Sequence, residues 1–284
     1  MKLSKIFALL LALCLISSAA CAATFTDAHG NVIELDDSLE AYAAVTLVGA
    51  DNAARQGETN LGDLWADALR WFAVSGEINA AFDEDDVKAG NDRIAVDADH
   101  VVALWNGGNL RADIAEGTFG AEALAEVLPF PNKVAVVYMT GAQLLETLEA
   151  ASQGLPYTAE TADACASLMQ VSGLSYTVDT AKAYDALEAY GDHWFTAGSV
   201  SRVRIDDVNG QPFDAEATYA VVTSNANFNG MDSSYVLKSA AEANEQSAVT
   251  TAVVRDVVFQ FIAAELNHQV GETYAAPQGR LTVL

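Results

Sequence analysis

The stretch that decides the fold class is Lys133-Val134-Ala135-Val136-Val137-Tyr138-Met139-Thr140-Gly141-Ala142-Gln143-Leu144-Leu145. Its first half is rich in β-branched residues and predicts a strand over residues 133–139. Thr140 and Gln143 have the spacing of a capping box, in which each side chain bonds the other residue's backbone N–H. A helix carrying Leu144, Leu145 and Leu148 is therefore predicted to follow the strand directly.

Further strands and helices are mixed along the chain without strict alternation, which favours an α+β fold with a mixed β-sheet packed with helices. Thr59 can cap a helix over residues 58–73, and helical patterns recur at 120–127 and 249–267. Predicted strands cover residues 24–35 (with a turn at 29–31), 100–105, 167–178 (interrupted at 172–173), 202–207, 218–223 and 280–284. Residues 36–56 are poorly patterned apart from a short strand at 45–48, and residues 83–92 are predicted to be an exposed acidic loop.

The N-terminus has the pattern of a signal peptide over residues 1–22. Lys2 and Lys5 precede an apolar run at residues 6–16, and small residues end at Ala22. The run is shorter than the roughly 20 residues that span a bilayer, and no later stretch is apolar enough to do so. An exported protein, secreted, periplasmic or in the cell envelope, is predicted; a lipoprotein acylated at Cys21 is the less favoured alternative.

Composition excludes several classes of function. The net charge of −25 repels phosphate backbones, so no nucleic-acid partner is predicted. Cys14 and Cys21 lie in the predicted signal peptide, which leaves Cys165 without a disulfide partner and makes a zinc–thiolate site improbable. The histidines, His29, His100, His193 and His268, are isolated from one another, and no Ser or Cys has the setting of a nucleophile. No catalytic residue, metal or cofactor is therefore predicted.

The sharpest candidate for a binding site follows the strand at residues 100–105. Asn106-Gly107-Gly108 frees the backbone for a tight turn or a close ligand approach, and Arg111 offers a planar donor fork for phosphate or carboxylate. The alternative is a purely structural turn in which Arg111 pairs with a local acid such as Asp113.

Six short motifs occur in a fixed order and together carry a family resemblance. They are the stretches at residues 58–68, 106–114, 128–132, 140–149, 170–173 and 218–232. In this order and at these separations the chain resembles the C-terminal, substrate-binding domain of the 5'-nucleotidase / UDP-sugar hydrolase family. The resemblance covers residues 58–284 and leaves residues 23–57 as an N-terminal extension.

The resemblance implies a nucleoside or nucleotide pocket. It assigns Asn106 to the nucleoside, Arg111 to phosphate, Phe130 to one side of an aromatic clamp on the base, Gly173 to the pocket lining and Asp232 to the ribose hydroxyls. A core phenylalanine after a proline turn is the alternative for Phe130. Phe228 is assigned to the second side of the clamp, although strict spacing would place Ala226 there, and Met231 and Ser233 replace the glycines that flank the family's aspartate.

The family also has a metal-binding catalytic domain, whose D-x-H, G-N-H-[DE] and G-H-x-H motifs would hold two metals. This sequence has only a stretch similar to the first of these motifs, at residues 27–30. We therefore expect nucleoside or nucleotide binding, associated with nucleotide catabolism, without independent hydrolysis. A separately encoded metallophosphatase is a candidate partner. The alternative is a structural or cell-surface interaction domain with a degenerate nucleotide pocket.

Overall fold

A computed structural model describes residues 23–26, 32–35 and 40–284. The predicted signal peptide, Cys21 and the segment 27–30 lie outside the described residues. The helices are α1 Ala53–Gln56, α2 Asn60–Val74, α3 Glu84–Ala89, α4 Ala121–Val127, α5 Gly141–Ala151, α6 Asn225–Phe228, α7 Tyr235–Ala243 and α8 Val254–Ala264. The strands are β1 Ala23–Thr26, β2 Val32–Leu35, β3 Glu40–Ala43, β4 Val101–Asn106, β5 Gly117–Gly120, β6 Lys133–Thr140, β7 Met169–Ser172, β8 Leu174–Val178, β9 Ala186–Ala189, β10 Phe195–Ala197, β11 Val203–Val208, β12 Thr218–Ser224, β13 Ala248–Val253, β14 Gln269–Val270 and β15 Leu281–Val283.

A mixed five-stranded sheet, in the order β13-β6-β12-β4-β7, forms the centre of the domain. β4 and β12 are parallel, while β6, β7 and β13 pair antiparallel to their neighbours. Successive side chains of a strand point to opposite faces, so Val101, Ala103 and Trp105 enter one core cluster and Val102 and Leu104 enter the other. Because both faces are covered, the inner strands β4, β6 and β12 are buried at every position except their terminal residues Lys133, Thr140 and Thr218, rather than alternating between buried and exposed.

Each face of this sheet is covered by helices. α2 and α8 pack in the first cluster through residues such as Leu61, Leu69 and Phe261. α5 and α7 pack in the second through Leu148 and Leu237. The mixed sheet packed with helices confirms the predicted α+β class.

The predicted helix starts are confirmed in atomic detail. Thr59 caps α2 by accepting the N–H of Gly62 at 3.0 Å. Thr140 and Gln143 form the complete capping box at the start of α5. The backbone N–H groups in the first turn of a helix have no partner inside the helix, and these caps supply one. The residues involved lie within one turn of each other, so the sequence predicts them.

The packed body begins earlier in the chain than the predicted boundary at residue 58. β3 lies between β5 and β14 in a three-stranded sheet, and Ala41, Ala43, Leu47 and Ala54 are fully buried in the first core cluster. Residues 40–57 therefore belong to the same body as the rest of the domain. Their pairing partners are distant in sequence, which is why the segment lacks a recognisable local pattern.

Two local predictions differ from the structure. Residues 83–92 contain α3, an exposed helix that Asp83 and Asp86 close with a capping box, rather than an unstructured loop. The predicted helix at 249–267 begins only at Val254, because the β-branched residues before it extend the central sheet as β13. In the described part of the chain, no helix is both long and apolar enough to cross a lipid bilayer.

Candidate functional site

The register of the central sheet brings four separate segments to one edge. β4 and β12 run parallel and end together, at Asn106 and Ser224. β6 starts at the same edge because Val134 lies opposite Ser224, and β7 starts there because Met169 lies opposite Asn106. The loops that follow β4 and β12 and the loops that precede β6 and β7 therefore meet.

A cavity of about 470 Å³ lies at this edge. Its lining comes from all four segments and consists of Asn106, Gly108, Asn109, Arg111, Phe130, Pro131, Asn132, Ala166, Asn225, Ala226, Met231 and Asp232. The volume falls within the range of roughly 300–1,000 Å³ that is usual for small-molecule sites. The structure thus brings Asn106, Arg111, Phe130 and Asp232, four of the six predicted site residues, to one cavity.

Asn106 and Asp232 form the polar floor of this cavity. The buried Asn106 donates from Nδ2 to Asp232 Oδ2 at 2.8 Å, and its Oδ1 accepts from Asn109 Nδ2 at 2.8 Å. Among the described residues, no hydrogen bond reaches the second oxygen, Asp232 Oδ1. Burial raises the pKa of Asp232, while Arg55, the hydrogen bond from Asn106 and Arg111 act in the opposite direction. Asn106 therefore orients a carboxylate whose second oxygen remains available to hydroxyl donors.

Arg111 and Phe130 form a wall of the same cavity. The Phe130 side chain is 44% exposed, which excludes the core alternative for this residue. Arg111 Cζ lies 5.6 Å from the Phe130 ring centroid, and its Nε donates to the Gly108 carbonyl at 2.5 Å. Among the described residues Arg111 forms no ion pair with Asp113, whose Oδ1 accepts the backbone N–H groups of Gly49 and Ala50. The guanidinium therefore lies over the Phe130 ring and is not paired with Asp113.

Arg55 is a second cation of this region that the sequence reasoning missed. It lies in α1, and its Nη1 donates to the Ala162 carbonyl at 2.9 Å and lies 3.8 Å from Asp163. Its charge lowers the pKa of Asp232 more than Arg111 does. The indication in the sequence is that Arg55 is a basic residue three positions before Glu58, where the first motif begins. The segment around Arg55, which contains α1, has no recognisable sequence pattern.

Gly173 does not line the cavity. It follows β7 and packs near Val101, at the start of β4, whereas the cavity lies at the end of β4. With about 3.3 Å per residue, the length of β4 separates the two positions by roughly 16 Å. Gly173 has a positive φ of 78°, and a Cβ there would meet Arg70 Nε at 2.6 Å. Its requirement for glycine is therefore structural.

Gln170 also has a structural role. Its Oε1 accepts the Thr59 N–H at 3.0 Å, and its Nε2 donates to the carbonyls of Ala54 and Gly57 at 3.1 and 2.9 Å. These bonds fasten the segment at residues 54–59, which carries Arg55 and the cap of α2, to β7. The motif at residues 170–173 thus positions the segment that carries Arg55, and it contributes no lining residue to the cavity.

Phe228 is likewise outside the cavity. Its half-buried ring packs against the second core cluster, and Ala226 lines the cavity in its place. The short helix α6 turns the two side chains to different sides, because residues two positions apart on a helix do not share a face. The exposed Met231 is the large apolar residue that this loop presents to the cavity.

Within the described ranges, no three His, Cys, Asp or Glu side chains are grouped so that they could hold a metal ion. The cavity offers groups suited to hydrogen bonding and stacking. It combines a hydroxyl acceptor at Asp232, guanidinium donors at Arg111 and an aromatic face at Phe130.

Comparisons with known proteins agree with this architecture. The family model described as 5'-nucleotidase, C-terminal domain, matches residues 40–239. A trifunctional nucleotide phosphoesterase protein of Bacillus subtilis (strain 168) is 30% identical over 186 residues, which is 65% of this chain and 10% of that protein. The structure of a 5'-nucleotidase precursor from Thermus thermophilus aligns with a TM-score of 0.61 and 29% identity, over 86% of this chain and 39% of the other.

The NAD nucleotidase of Haemophilus influenzae shares the fold, with a TM-score of 0.57 and 14% identity over 92% of this chain and 48% of its own. This chain therefore spans less than half the length of each of these three proteins.

Proposed function

This chain belongs to the 5'-nucleotidase C-terminal domain family, and we propose that it binds nucleosides or nucleotides in the cavity at the edge of its central sheet. The observation that supports this most strongly is the convergence of Asn106, Arg111, Phe130 and Asp232 on one cavity of about 470 Å³. Phe130, Asp232 and Arg111 each suit a different part of such a ligand, and Asn106 orients Asp232.

The base is placed against Phe130. Its half-exposed ring offers a stacking face, and base–aromatic stacking contributes roughly 1–3 kcal/mol per base in other proteins. The ribose hydroxyls are placed at Asp232, where Oδ1 is available to accept both while Asn106 fixes the other oxygen. Hydrogen bonds to a charged acceptor are about twice as strong as neutral ones, so the sugar should contribute much of the affinity.

A phosphate would be held by Arg111, with the charge of Arg55 behind it. The net charge of −25 repels anions at long range, and this repulsion opposes the local attraction. We therefore expect adenosine to bind nearly as well as AMP at low salt. Raising the salt concentration screens the long-range repulsion more than the short contacts, so AMP should gain relative to adenosine.

Titration calorimetry with adenosine and AMP tests this proposal. Phe130→Ala should weaken the binding of both ligands about 5- to 150-fold, the equivalent of the stacking energy. Asp232→Asn should weaken adenosine by at least about tenfold and leave 2',3'-dideoxyadenosine unchanged, because that ligand has no hydroxyls for the carboxylate. Leu187→Ala, at a side chain 65% exposed outside the cavity, is the control. No binding at millimolar concentration, or unchanged binding in folded Phe130→Ala and Asp232→Asn variants, would refute the site.

We also propose that these 284 residues do not hydrolyse nucleotides by themselves. The family's two-metal motifs are missing from the sequence, and a metallophosphatase domain is the partner that would supply them. The purified chain should leave AMP and UDP-glucose intact with Mg²⁺, Mn²⁺ or Zn²⁺. Metal-dependent turnover above about 1 per second, an ordinary enzyme rate, that is lost in the Asp27→Asn and His29→Ala variants would contradict this.

Export is part of the proposal and rests on the sequence at residues 1–22. Mass spectrometry of the protein recovered from its native host should find an N-terminus at Ala23. A lipid-modified N-terminus at Cys21 would instead establish the lipoprotein alternative, and an intact Met1 in the cell interior would refute export.

One observation favours an interaction domain with a degenerate pocket as the second candidate. The half-buried Phe228 packs against the second core cluster and does not line the cavity, so the cavity lacks the second half of an aromatic clamp, and Met231 is 59% exposed beside it. Absence of binding across a panel of nucleosides and nucleotides would leave this interpretation as the better one.

A further inference from the structure

Residues 179–202 form a long excursion of the chain that is hydrogen-bonded to segments on both sides of the cavity. β8 and β11 pair directly, with Val178 opposite Val203, yet residues 179–202 leave this pair and return to it. The excursion contains the separate hairpin of β9 and β10, whose turn is closed by the Tyr190 N–H donating to the Trp194 carbonyl at 2.6 Å.

The tip of this hairpin is attached to the two segments that flank the cavity. The Tyr190 hydroxyl donates to the Gly230 carbonyl at 2.8 Å, and Gly230 immediately precedes Met231 and Asp232. On the opposite side, Trp194 Nε1 donates to the Ala164 carbonyl at 3.3 Å, two residues before Ala166 of the lining. The hairpin therefore spans from one wall of the site to the other.

The loop that carries Asp232 depends on outside support. Asp232 itself has a positive φ of 55°, a conformation that non-glycine residues rarely adopt. Within the loop, Gly230 N–H and Met231 N–H donate to the carbonyls of Asn227 and Ala226. The Gly230 carbonyl has its hydrogen bond from Tyr190, whose hydroxyl lies so close that a Cβ at position 230 would meet it at 2.2 Å.

We propose that Tyr190 is a positioning residue for the ribose-binding carboxylate, acting through Gly230 on Asp232. The inference rests on the proposed nucleoside site, in which Asp232, and not Tyr190, contacts the ribose. Tyr190 is held in place by Tyr235, whose ring centroid lies 5.6 Å away, so its hydroxyl is presented by packed aromatic rings. Removing that hydroxyl leaves the Gly230 carbonyl without its partner and lets the carboxylate move relative to Asn106.

The test compares Tyr190→Phe with Tyr184→Phe. Both changes delete one hydroxyl from the same excursion, but the Tyr184 hydroxyl donates to the Phe195 carbonyl within the hairpin, away from the cavity. Tyr190→Phe should weaken adenosine binding about three- to tenfold, the equivalent of one neutral hydrogen bond. It should leave 2',3'-dideoxyadenosine unchanged, because that ligand does not use Asp232. Tyr184→Phe should leave both affinities unchanged.

Amide hydrogen exchange of the unliganded proteins supplies a second measurement that needs no ligand. Exchange at residues 230–233 should accelerate in Tyr190→Phe and stay at the wild-type rate in Tyr184→Phe. Equal exchange in all three proteins, or equal losses for adenosine and its dideoxy analogue, would overturn the positioning role while leaving the nucleoside site intact. Accelerated exchange in a protein that binds no nucleoside would instead refute the proposed function and retain the mechanical link between Tyr190 and the loop.

Discussion

The free energy of unfolding should fall as the pH rises, because burial of the Asp63 side chain disfavours its charged form. This α2 side chain is 1% exposed, and its Oδ1 has no hydrogen-bond partner among the described residues. Burial raises the pKa of Asp63 to about 8, helped by the negative charge of Glu58 and only partly opposed by Arg280, whose Nη1 lies 3.9 Å away. The folded protein therefore holds a proton on Asp63 at neutral pH that an exposed carboxyl would release.

The direction of the pH effect follows from the difference between the pKa of Asp63 in the folded state and its pKa in the unfolded state. The ordinary pKa of an aspartate is 3.8, so between about pH 4 and pH 8 the folded state binds a proton that the unfolded state has lost. The free energy of unfolding then falls as pH rises, by at most about 1.4 kcal/mol per pH unit for this one group. Asp63→Asn keeps the shape and has no proton to lose, so the stability of wild type relative to this variant should fall across the same window.

Thermal melts followed by circular dichroism at about pH 4.5, 5.5, 6.5 and 7.5 measure this difference across the window in which the two states differ in bound protons. Each kcal/mol corresponds to about 2–4 °C in Tm for a protein of this size class. Asp85→Asn, whose side chain is 93% exposed, is the matched control and should follow the wild type at every pH. Parallel curves for wild type and Asp63→Asn would refute the buried proton. A relative gain of the wild type with rising pH would show that Arg280 keeps Asp63 ionised.

Three further substitutions, two of them with a control variant, test the packing and the helix caps. Leu148→Ala, at a fully buried position of the second core cluster, should lower the free energy of urea unfolding by about 2–5 kcal/mol, whereas Leu187→Ala at the surface should change it by less than about 0.5 kcal/mol. Thr140→Ala removes the cap of α5 and should cost about 1 kcal/mol in the same assay, which Thr140→Ser should restore. Asp83→Ala removes the cap of α3, so limited proteolysis should cut within Glu84–Ala89 sooner than in the wild type, and an unchanged cleavage rate would contradict a capped helix there.

Local sequence patterns predicted much of the fold because their causes are local. The caps at Thr59 and Thr140 depend on residues within one helical turn, and the apolar runs of β4 and β12 are short continuous stretches that are buried everywhere except at Thr218. The end of β13 could not be predicted in this way. Its residues 249–253 fit a helical period as well as a strand, and pairing with β6 decides between the two.

The candidate site was predictable where a motif lies in or next to a loop at the shared end of the central strands. Asn106 ends β4 and Arg111 follows it, Phe130 precedes β6 and Asp232 follows β12, so the sheet register brings them together. Arg55 reaches the site through the tertiary packing of α1, and Gly173 leaves it because β7 runs antiparallel to β4. Neither outcome is contained in the spacing of residues along the chain.

The departures from the family pattern at residues 228–233 change what the site can recognise. Asp232 holds a left-handed backbone conformation between Met231 and Ser233, without the neighbouring glycines that would make the loop compliant. Such a conformation costs about 1–2 kcal/mol, which the hydrogen bond from Asn106 and the brace from Tyr190 can offset. The polar half of the site is therefore supported, whereas the packing of Phe228 against the second core cluster, outside the cavity, removes one side of the aromatic clamp. A nucleoside bound as we propose would be held by its sugar and by one aromatic face, and the site would select for ribose more than for the base. Adenosine, guanosine and uridine should accordingly bind with affinities that differ less from one another than each differs from its dideoxy analogue.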